Sequence, residues 1–418
     1  MNDAGGHADL TAGLDGLLVE ADAAVARRRT LPDARFPIHT CYVPADAYTA
    51  ATIGEWGEQA RQVLAAHAEH PELPDVLGLT PQLLAEVLPR AQAMLELRPV
   101  QDLRIDFEDG YGLRSDAEED THAALAATAL AATRDRTGWA GLRVRSMEAA
   151  TRQRAVRTLA GFLAALQAAG GDPTGLIVTL PKVSHPDQVR AMSVICFRLE
   201  ARHNLPPGTL RLEVQIELPA AVLAADGTAP AGAFIDAAGG RCDGLHFGTY
   251  DYSAALGIDP AEQRADHPAA EHAKAVLQLA AAGRGVRVVD GSSNVLPIGS
   301  AVLDAWRIQA RIVRRALVLG ITQGWDLHPA QLPCRYLVTL GHLRSGVPTA
   351  CARLSAYRSR AAGGFLDEPA TEAALRGFLD RALVLGAMDP DEAPRPPERV
   401  HSGPTAIHGG PNAETTVS

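Results

Sequence analysis

The sequence predicts an α/β protein built as a (β/α)8 TIM barrel, with a helical extension and a disordered tail at its C-terminal end. Short apolar runs alternate with Ala/Leu-rich stretches of helical periodicity, and eight such runs fit the eight strands of a closed barrel. Several runs end in an ionisable residue, which is where a barrel of this kind places its site. An open doubly wound sheet is the competing fold, but no GxGxxG follows the first run.

The elements follow one another in a regular order. The predicted strands span residues 38–43, 103–107, 141–145, 176–180, 210–216, 244–248, 286–289 and 321–327. We therefore assign residues 36–335 to the barrel, and 1–35 to an N-terminal helical segment. Residues 336–388 keep a helical pattern without a further strand, which predicts the C-terminal helical extension. Residues 389–418 are rich in Pro, Gly and charge and are predicted to be disordered.

Composition narrows the class of protein. The net charge of -10 disfavours nucleic acid as the main partner. No apolar run is long enough to span a membrane, and the acidic, small residues at the start of the sequence lead us to expect no secretory signal. Its five cysteines are scattered and form no CxxC, so we expect reduced thiols in a cytoplasmic protein, and the helical extension suggests a homo-oligomer. Of 39 basic residues, only Lys182 and Lys274 are lysine, so lysine-based chemistry has two candidates.

The most informative segment is residues 103–112, where an apolar run leads into three carboxylates and then into glycines. Asp106, Glu108 and Asp109 repel one another unless a cation lies among them. Other predicted strand ends carry ionisable residues too, and those ends converge in a barrel. The full set of candidates is Glu108, Asp109, Arg143, Arg145, Lys182, Glu217, Asp251, Asp290 and His328. Any one of them alone could instead form a structural salt bridge.

Two of these carboxylates are candidate metal ligands. Glu217 ends a buried run, where a carboxylate must be paired or metal-bound, and Asp251 follows the next predicted strand. Two carboxylates with open positions for water and substrate suit Mg²⁺ or Mn²⁺. No closely spaced His/Cys set is present, which disfavours structural zinc. The alternative for Glu217 is a salt bridge to Arg143 or Lys182.

Three further candidates have two interpretations each. Lys182 would form a Schiff base with a carbonyl substrate if its pKa were depressed, or it stays protonated and holds the carboxylates together, which we favour. His328 is either a general acid/base or a cap of the following helix. Asp290 opens a polar, glycine-containing loop that would bind a phosphate or carboxylate through backbone N–H groups.

At these residues the sequence resembles the HpcH/HpaI aldolase and citrate lyase beta-subunit family, over about residues 36–335. The motifs that carry the resemblance are residues 105–109, 142–144, 180–183, 215–217, 247–251 and 327–331, in the family's order. The resemblance implies Mg²⁺-dependent barrel enzymes that make or break C–C bonds next to a carbonyl. Arg145 stands where the family often has asparagine, which suggests a more anionic substrate.

The resemblance implies roles for the candidates. Glu217 and Asp251 would hold the metal, Glu108 and Asp109 would orient its waters, and Arg143 would bind substrate. We therefore expect a carbon–carbon lyase or aldolase that acts on a 2-oxo acid or related hydroxy acid through a metal-stabilised enolate. The rivals are an acyl-CoA lyase or malate-synthase-like condensing enzyme with a coenzyme A thioester, a phosphoenolpyruvate-handling enzyme, a Schiff-base aldolase through Lys182, and a non-catalytic metabolite-binding protein.

Overall fold

The computed structural model describes residues 14–26, 37–359 and 369–394 of the protein. Eight parallel strands form one sheet: β1 His39–Pro44, β2 Asp102–Asp106, β3 Trp139–Arg143, β4 Ile177–Leu180, β5 Arg211–Ile216, β6 Cys242–Phe247, β7 Arg287–Val289 and β8 Gly324–Asp326. The order is β7-β6-β5-β4-β3-β2-β1-β8. A parallel bridge between Val289 and Gln323 joins the two edges. The barrel is therefore nearly closed, and the predicted (β/α)8 fold class is confirmed.

Each predicted strand overlaps an observed one, with shifts at the ends. The third strand, predicted at 141–145, is Trp139–Arg143, and the eighth, predicted at 321–327, is the shorter Gly324–Asp326. These shifts arise because hydrophobicity alone does not mark where ladder pairing starts or stops: Trp139 and Ala140 already pair with β2, and apolar Leu327 lies beyond the end of β8.

The helices lie outside the barrel. Their bounds are α1 Leu14–Ala26, α2 Thr52–His67, α3 Leu73–Leu77, α4 Pro81–Leu97, α5 Asp116–Thr133, α6 Arg152–Ala168, α7 Pro186–Arg202, α8 Pro219–Val222, α9 Ala231–Ala237, α10 Thr249–Ala255, α11 Pro268–Ala281, α12 Val302–Val318, α13 Leu332–Ser359 and α14 Pro369–Val384. Local sequence fixes some starts: Ser115 and Glu118 form a capping box at α5. Among the described residues, no helix has both the length and the apolar content needed to cross a bilayer.

The main core lies between the strands and the helices. Outward-facing strand residues such as Ile105, Leu142 and Val214 are fully buried against the helix layer. Successive residues of a strand point to opposite faces, so their neighbours face the inside of the barrel. That alternation places the polar residues of β2 and β5 in the barrel interior.

The barrel interior contains a balanced set of charges, which we call the interior ion network: Asp102, Arg104, Glu213 and Arg287. The Arg104 guanidinium lies 2.5 Å from Asp102 Oδ1 and 2.6 Å from Glu213 Oε1. Arg287 lies 3.3 Å from the same Glu213 oxygen. Two cations and two carboxylates are thus buried together, which satisfies the requirement that buried charges be paired.

The chain after β8 continues directly into α13, which packs on α4 and α12, and α14 packs on α13. The position of α13 is that of the eighth barrel helix, so the boundary expected at residue 335 falls inside a barrel helix. Residues 389–394 lie against the same body, because Asp389 pairs with Arg90 at 2.7 Å and Glu392 pairs with Arg344 at 2.7 Å. The rest of the expected tail, residues 395–418, lies outside the described residues.

Candidate active site at the carboxyl ends of the strands

Four carboxylates from three strand ends gather at one end of the barrel. Glu108 and Asp109 follow β2, Glu217 follows β5, and Asp251 lies in the first turn of α10 after β6. We call Glu108, Asp109, Glu217 and Asp251 the acid cluster. All four were predicted from sequence as site residues, and the parallel topology places their strand ends at the same end of the barrel.

Lys182, which follows β4, binds three members of the acid cluster through its ammonium. Its Nζ lies 2.9 Å from Glu108 Oε1, 3.0 Å from Asp109 Oδ2 and 2.7 Å from Asp251 Oδ2. Its backbone N–H donates to Glu217 Oε1 at 2.6 Å. Lys182 has a φ of 52°, a conformation that non-glycine residues seldom adopt and that often marks functional sites. One residue therefore contacts the whole acid cluster.

Glu217 is the most deeply buried member, with a side chain 2% exposed. The amide of Gln215 donates to Glu217 Oε2. Gly248 leaves room for this carboxylate, since a Cβ at Gly248 would lie 2.5 Å from Glu217 Cβ. Burial raises the pKa of Glu217 to about 7; Lys182 opposes that rise and Glu108 adds to it. The carboxylate thus has less positive charge nearby than its burial demands.

Arg143, the last residue of β3, is held in a fixed orientation. Its Nε and Nη2 donate to the two carboxylate oxygens of Asp106, each at 2.6 Å, and its Nη1 lies 3.2 Å from Glu108 Oε2. The guanidinium also lies 5.0 Å from the centre of the Tyr42 ring. A bidentate carboxylate and an aromatic face fix an arginine more firmly than either does alone.

The titration behaviour of the site follows from burial and charge. Burial raises the pKa of Glu108, and Arg143 opposes this shift. Burial opposes ionisation of Asp109 as well, but Lys182 and Arg143 outweigh it and lower its pKa. Burial alone would lower the pKa of Lys182, yet the carboxylates around it, Glu217 first, raise it. Lys182 therefore stays protonated, which supports the interpretation of this residue as a cation and disfavours a Schiff base.

The charges at this end of the barrel are unbalanced. Asp106 and the acid cluster supply five carboxylates, whereas Arg143 and Lys182 supply two cations among the contacts described above. Within the described residues, no three His, Cys, Asp or Glu side chains are arranged as a preformed metal cage. The donors are nevertheless all carboxylate oxygens with an excess of negative charge, which fits a hard divalent cation bound by a few carboxylates and water.

Three predicted site residues are not brought into the acid cluster. Arg145 is buried and binds Glu119 of α5, with its Nη2 3.0 Å from Glu119 Oε2 and 2.8 Å from the Gly112 carbonyl oxygen. Glu119 also accepts a hydrogen bond from the Thr158 hydroxyl. This arginine ties α5 to the end of β3, so it gives no support to the expectation of a more anionic substrate.

Asp290, the second of the three, pairs with Lys274 of α11. The two groups lie 2.7 Å apart, and Lys274 Nζ also donates to the Ala265 carbonyl at 2.8 Å. Both side chains are buried. The loop after β7 contacts the helix that carries Asp251, because the N–H of Asn294 donates to the Tyr250 hydroxyl at 2.6 Å. Asp290 thus begins a loop that contacts the residue next to Asp251, but its own carboxylate is paired with a lysine outside the acid cluster.

His328, the third, caps the short helix Pro329–Gln331. Its Nδ1 accepts the backbone N–H of Ala330 at 3.2 Å, and the Gln331 side chain accepts the His328 N–H at 3.2 Å. Burial lowers the pKa of His328, so the ring is neutral at pH 7 with its proton on Nε2. The capping role is present, and a proton-transfer role stays a prediction.

Sequence reasoning missed the residues that orient the candidates. Gln215 lies two positions before Glu217 on the same strand face, and period-two alternation could have indicated that contact. Tyr42 on β1 reaches Arg143 on β3 across the barrel mouth, and nothing local in the sequence signals such a pair. For the pair between Asp290 and Lys274, the one signal in the sequence was that only two lysines were available as partners.

The comparisons with known proteins agree with this fold. A family model described as DUF6986, a domain of unknown function, matches residues 18–399. No curated protein matches the chain. A citrate lyase from Burkholderia xenovorans LB400 is similar at 19% identity and a TM-score of 0.57, covering 88% of this chain and 98% of its own.

Malate synthase from Haloferax volcanii is also similar, in two structures that each share 15% identity with this chain. Its lead(II) complex has a TM-score of 0.51 and covers 86% of this chain and 94% of its own. The form prepared with 3 mM glyoxylate has a TM-score of 0.50 and covers 84% and 99%. At these identities the likeness shows the fold alone, and function must be argued from the site.

Proposed function

The chain belongs to the DUF6986 family, and we propose that it is a Mg²⁺- or Mn²⁺-dependent carbon–carbon lyase or aldolase acting on a 2-oxo acid or related hydroxy acid. The observation that carries the proposal is the convergence of the acid cluster with Lys182 and Arg143 at the carboxyl ends of the barrel strands. The excess of carboxylates there is costly for folding, which is the usual signature of a site rather than of a structural salt bridge.

The metal would be held by Glu217 and Asp251, with Glu108 and Asp109 as acceptors for its water ligands. Glu217 suits a ligand role because it is buried and short of positive charge, and Asp251 because its side chain is 42% exposed and adaptable. When bound, such a cation supplies Lewis acidity that lowers the energy of negative charge on neighbouring oxygens.

Arg143 would contribute the second positive charge. Three of its five N–H groups are committed to Asp106 and Glu108 in the contacts described above, which leaves donors on Nη1 and Nη2 for a substrate oxygen. Because Asp106 fixes the guanidinium beforehand, no reorganisation is needed as charge develops on an enolate oxygen. The pocket therefore offers preorganised electrostatic stabilisation.

Cleavage also requires two proton movements. A base must take the proton of the substrate hydroxyl as the C–C bond breaks, and the enolate carbon must then gain one. Neutral His328, with its proton on Nε2 and its Nδ1 already accepting from Ala330, is a candidate donor of the second proton, and a water at the acid cluster is the candidate for either step. Both routes use a group at the carboxyl end of the barrel.

The same pocket would serve the reverse direction, in which an enolate from an acyl-CoA thioester attacks a 2-oxo acid. Support for this second candidate is the likeness to a malate synthase whose crystals were prepared with glyoxylate, itself a 2-oxo acid. Consumption of acetyl-CoA only when glyoxylate and Mg²⁺ are both present, with formation of a hydroxyacyl-CoA or, after water hydrolyses that thioester, of a hydroxy acid and free coenzyme A, would favour condensation over cleavage.

The first test is thermal unfolding with Mg²⁺ and oxalate, a mimic of the pyruvate enolate. A ligand at 100 times its Kd that binds only the folded state adds about 2.7 kcal/mol. We expect a rise in Tm that needs both components and is absent in Glu217→Ala. The matched control is Asp243→Asn, which removes a carboxylate paired with Arg211 at the first residue of β5, away from the site. An equal rise in Glu217→Ala would reject this metal site.

A further inference from the structure

Lys182 is unusual in this chain before its contacts are considered. Only two of the 39 basic residues are lysine, and Lys274 is buried in its pair with Asp290. Lysine differs from arginine in that its charge is a compact ammonium on a flexible stem, whereas the guanidinium is planar and larger. A compact cation is therefore present where the carboxylates of the acid cluster converge.

The ammonium of Lys182 has the surroundings of a bound cation. Carboxylate oxygens from Glu108, Asp109 and Asp251 lie within 2.7 to 3.0 Å of Nζ. Asp251 lies in the first turn of α10 and the pair Glu108/Asp109 in the loop after β2, and the ammonium bridges these two segments. A divalent cation bound by Asp251, with waters held by Glu108 and Asp109, would need the same oxygens.

The side chain of Lys182 can leave without disturbing the rest of the site. Its backbone N–H, and not its ammonium, binds Glu217 at 2.6 Å, so that contact does not depend on where Nζ lies. The side chain is 26% exposed, which gives the stem a path toward solvent. Anchoring of Glu217 and neutralisation of the other carboxylates are thus separate functions of one residue.

We propose that the Lys182 ammonium is an intramolecular competitor for the divalent cation: it occupies the acid cluster in the metal-free protein and is released when the metal binds. This inference rests on the proposed function, since it takes the acid cluster to be the metal site. In the metal-free state the ammonium relieves repulsion among the carboxylates. Metal affinity is then set by exchange of one cation for another, and the released ammonium faces the pocket that receives an anionic substrate.

The first experiment measures Mg²⁺ affinity by titration calorimetry without substrate. Lys182→Met keeps the backbone N–H and the stem but removes the charge, so we expect its Kd to fall about tenfold or more below that of the wild type. The control is Arg114→Met, which removes one positive charge from the loop after β2, where Arg114 pairs with Asp46 at 3.0 Å. Its Kd should change by no more than about threefold, because that charge is exposed and screened.

The second experiment observes release of Lys182 in the wild-type protein itself. Lysine labelled with ¹³C at Cε gives two signals from this chain, one for each lysine. We expect Mg²⁺ to shift the Lys182 signal toward that of a solvated lysine and to leave the Lys274 signal in place. Lys182→Met assigns the signals, because one of them disappears.

The outcomes separate this inference from the proposed function. Unchanged or weaker Mg²⁺ binding in Lys182→Met, or an unmoved Lys182 signal in Mg²⁺-saturated wild type, would overturn the competition while leaving the metal-dependent function intact. Failure of both wild type and Lys182→Met to bind Mg²⁺ or Mn²⁺ would overturn both. Tighter binding in Lys182→Met than in Arg114→Met, with release of the wild-type lysine, would establish the exchange.

Discussion

The interior ion network and the acid cluster are built from the same kinds of residue, yet their charges are balanced differently. Inside the barrel, Arg104 and Arg287 offset Asp102 and Glu213, and every member is buried. At the carboxyl ends, Arg143 and Lys182 are two cations against five carboxylates, Asp106 and the four members of the acid cluster. Balanced charge satisfies the fold, whereas unbalanced charge at an accessible end is available to a ligand.

The largest expected effect comes from breaking the balance inside the barrel. Arg104→Met should lower the free energy of unfolding by about 3–5 kcal/mol, because it leaves Asp102 and Glu213 as buried carboxylates without their shared cation. Urea unfolding measures this loss. Arg211→Met is the control, since its pair with Asp243 is partly exposed and should be worth about 1 kcal/mol or less. Equal losses of unfolding free energy in the two variants would show that the buried pairs of the interior ion network contribute no more stability than a partly exposed pair.

The second effect is a gain in stability, expected for Glu217→Gln because this substitution removes one carboxylate from the acid cluster. The pKa of Glu217 is raised to about 7 when folded, against about 4.3 in an unfolded chain, so folding favours its protonated form. This contribution to stability is complete below pH 4 and is lost as the pH rises through 7. Metal-free Glu217→Gln should therefore be more stable than wild type by about 3 kcal/mol at pH 8, and equal to it near pH 4.

The neutral amide at position 217 should also be tolerated sterically. Gln215 Oε1 has no partner among the described contacts, so a flipped Gln215 amide would accept from the new side chain. Denaturant unfolding across the pH range, with EDTA present, measures the difference between the two proteins. A constant difference from pH 4 to pH 8 would show that Glu217 does not titrate in this window.

Two neighbouring arginines offer a sharper comparison within one strand end. Arg143→Lys should lower kcat about 100-fold, because lysine cannot keep both the bidentate contact with Asp106 and a donor for the enolate oxygen. Arg145→Lys should leave kcat within about threefold and lower Tm, since Arg145 binds Glu119 and a backbone carbonyl. Steady-state kinetics and thermal unfolding separate the two effects. Loss of kcat in Arg145→Lys at unchanged Tm would restore it as a substrate-binding residue.

The smallest expected effect concerns His328. Its Nδ1 accepts the Ala330 N–H as a helix cap, and the side-chain oxygen of asparagine can accept the same hydrogen bond. Thus His328→Ala should lose about 1 kcal/mol of stability and His328→Asn almost none. If both variants keep wild-type kcat, the proton moves through water; if His328→Asn loses kcat at full stability, His328 carries the proton.

The fold could be predicted from the sequence because it depends on the pattern of apolar residues along short segments of the chain. Apolar runs of strand length alternate with helical stretches, and parallel strands joined by helices have few arrangements. Strand ends also indicated the acid cluster, since the carboxyl ends of parallel barrel strands all lie at one end of the barrel. The sequence did not predict that Arg145, Asp290 and His328 would lie outside the acid cluster, because each follows or ends a strand just as the members of the cluster do.

The sequence by itself determined the eight-stranded barrel, the end at which its carboxylates meet, and the two positions where lysine is available. Only the tertiary structure decided how those charges are paired: Arg145 with Glu119, Asp290 with Lys274, and Lys182 with the acid cluster. The physical reason is the distance along the chain between the interacting residues. Secondary structure follows from neighbours in the chain, whereas the partner of a buried charge is chosen among groups distant in sequence, by which of them the packed helices and strands bring within hydrogen-bonding distance.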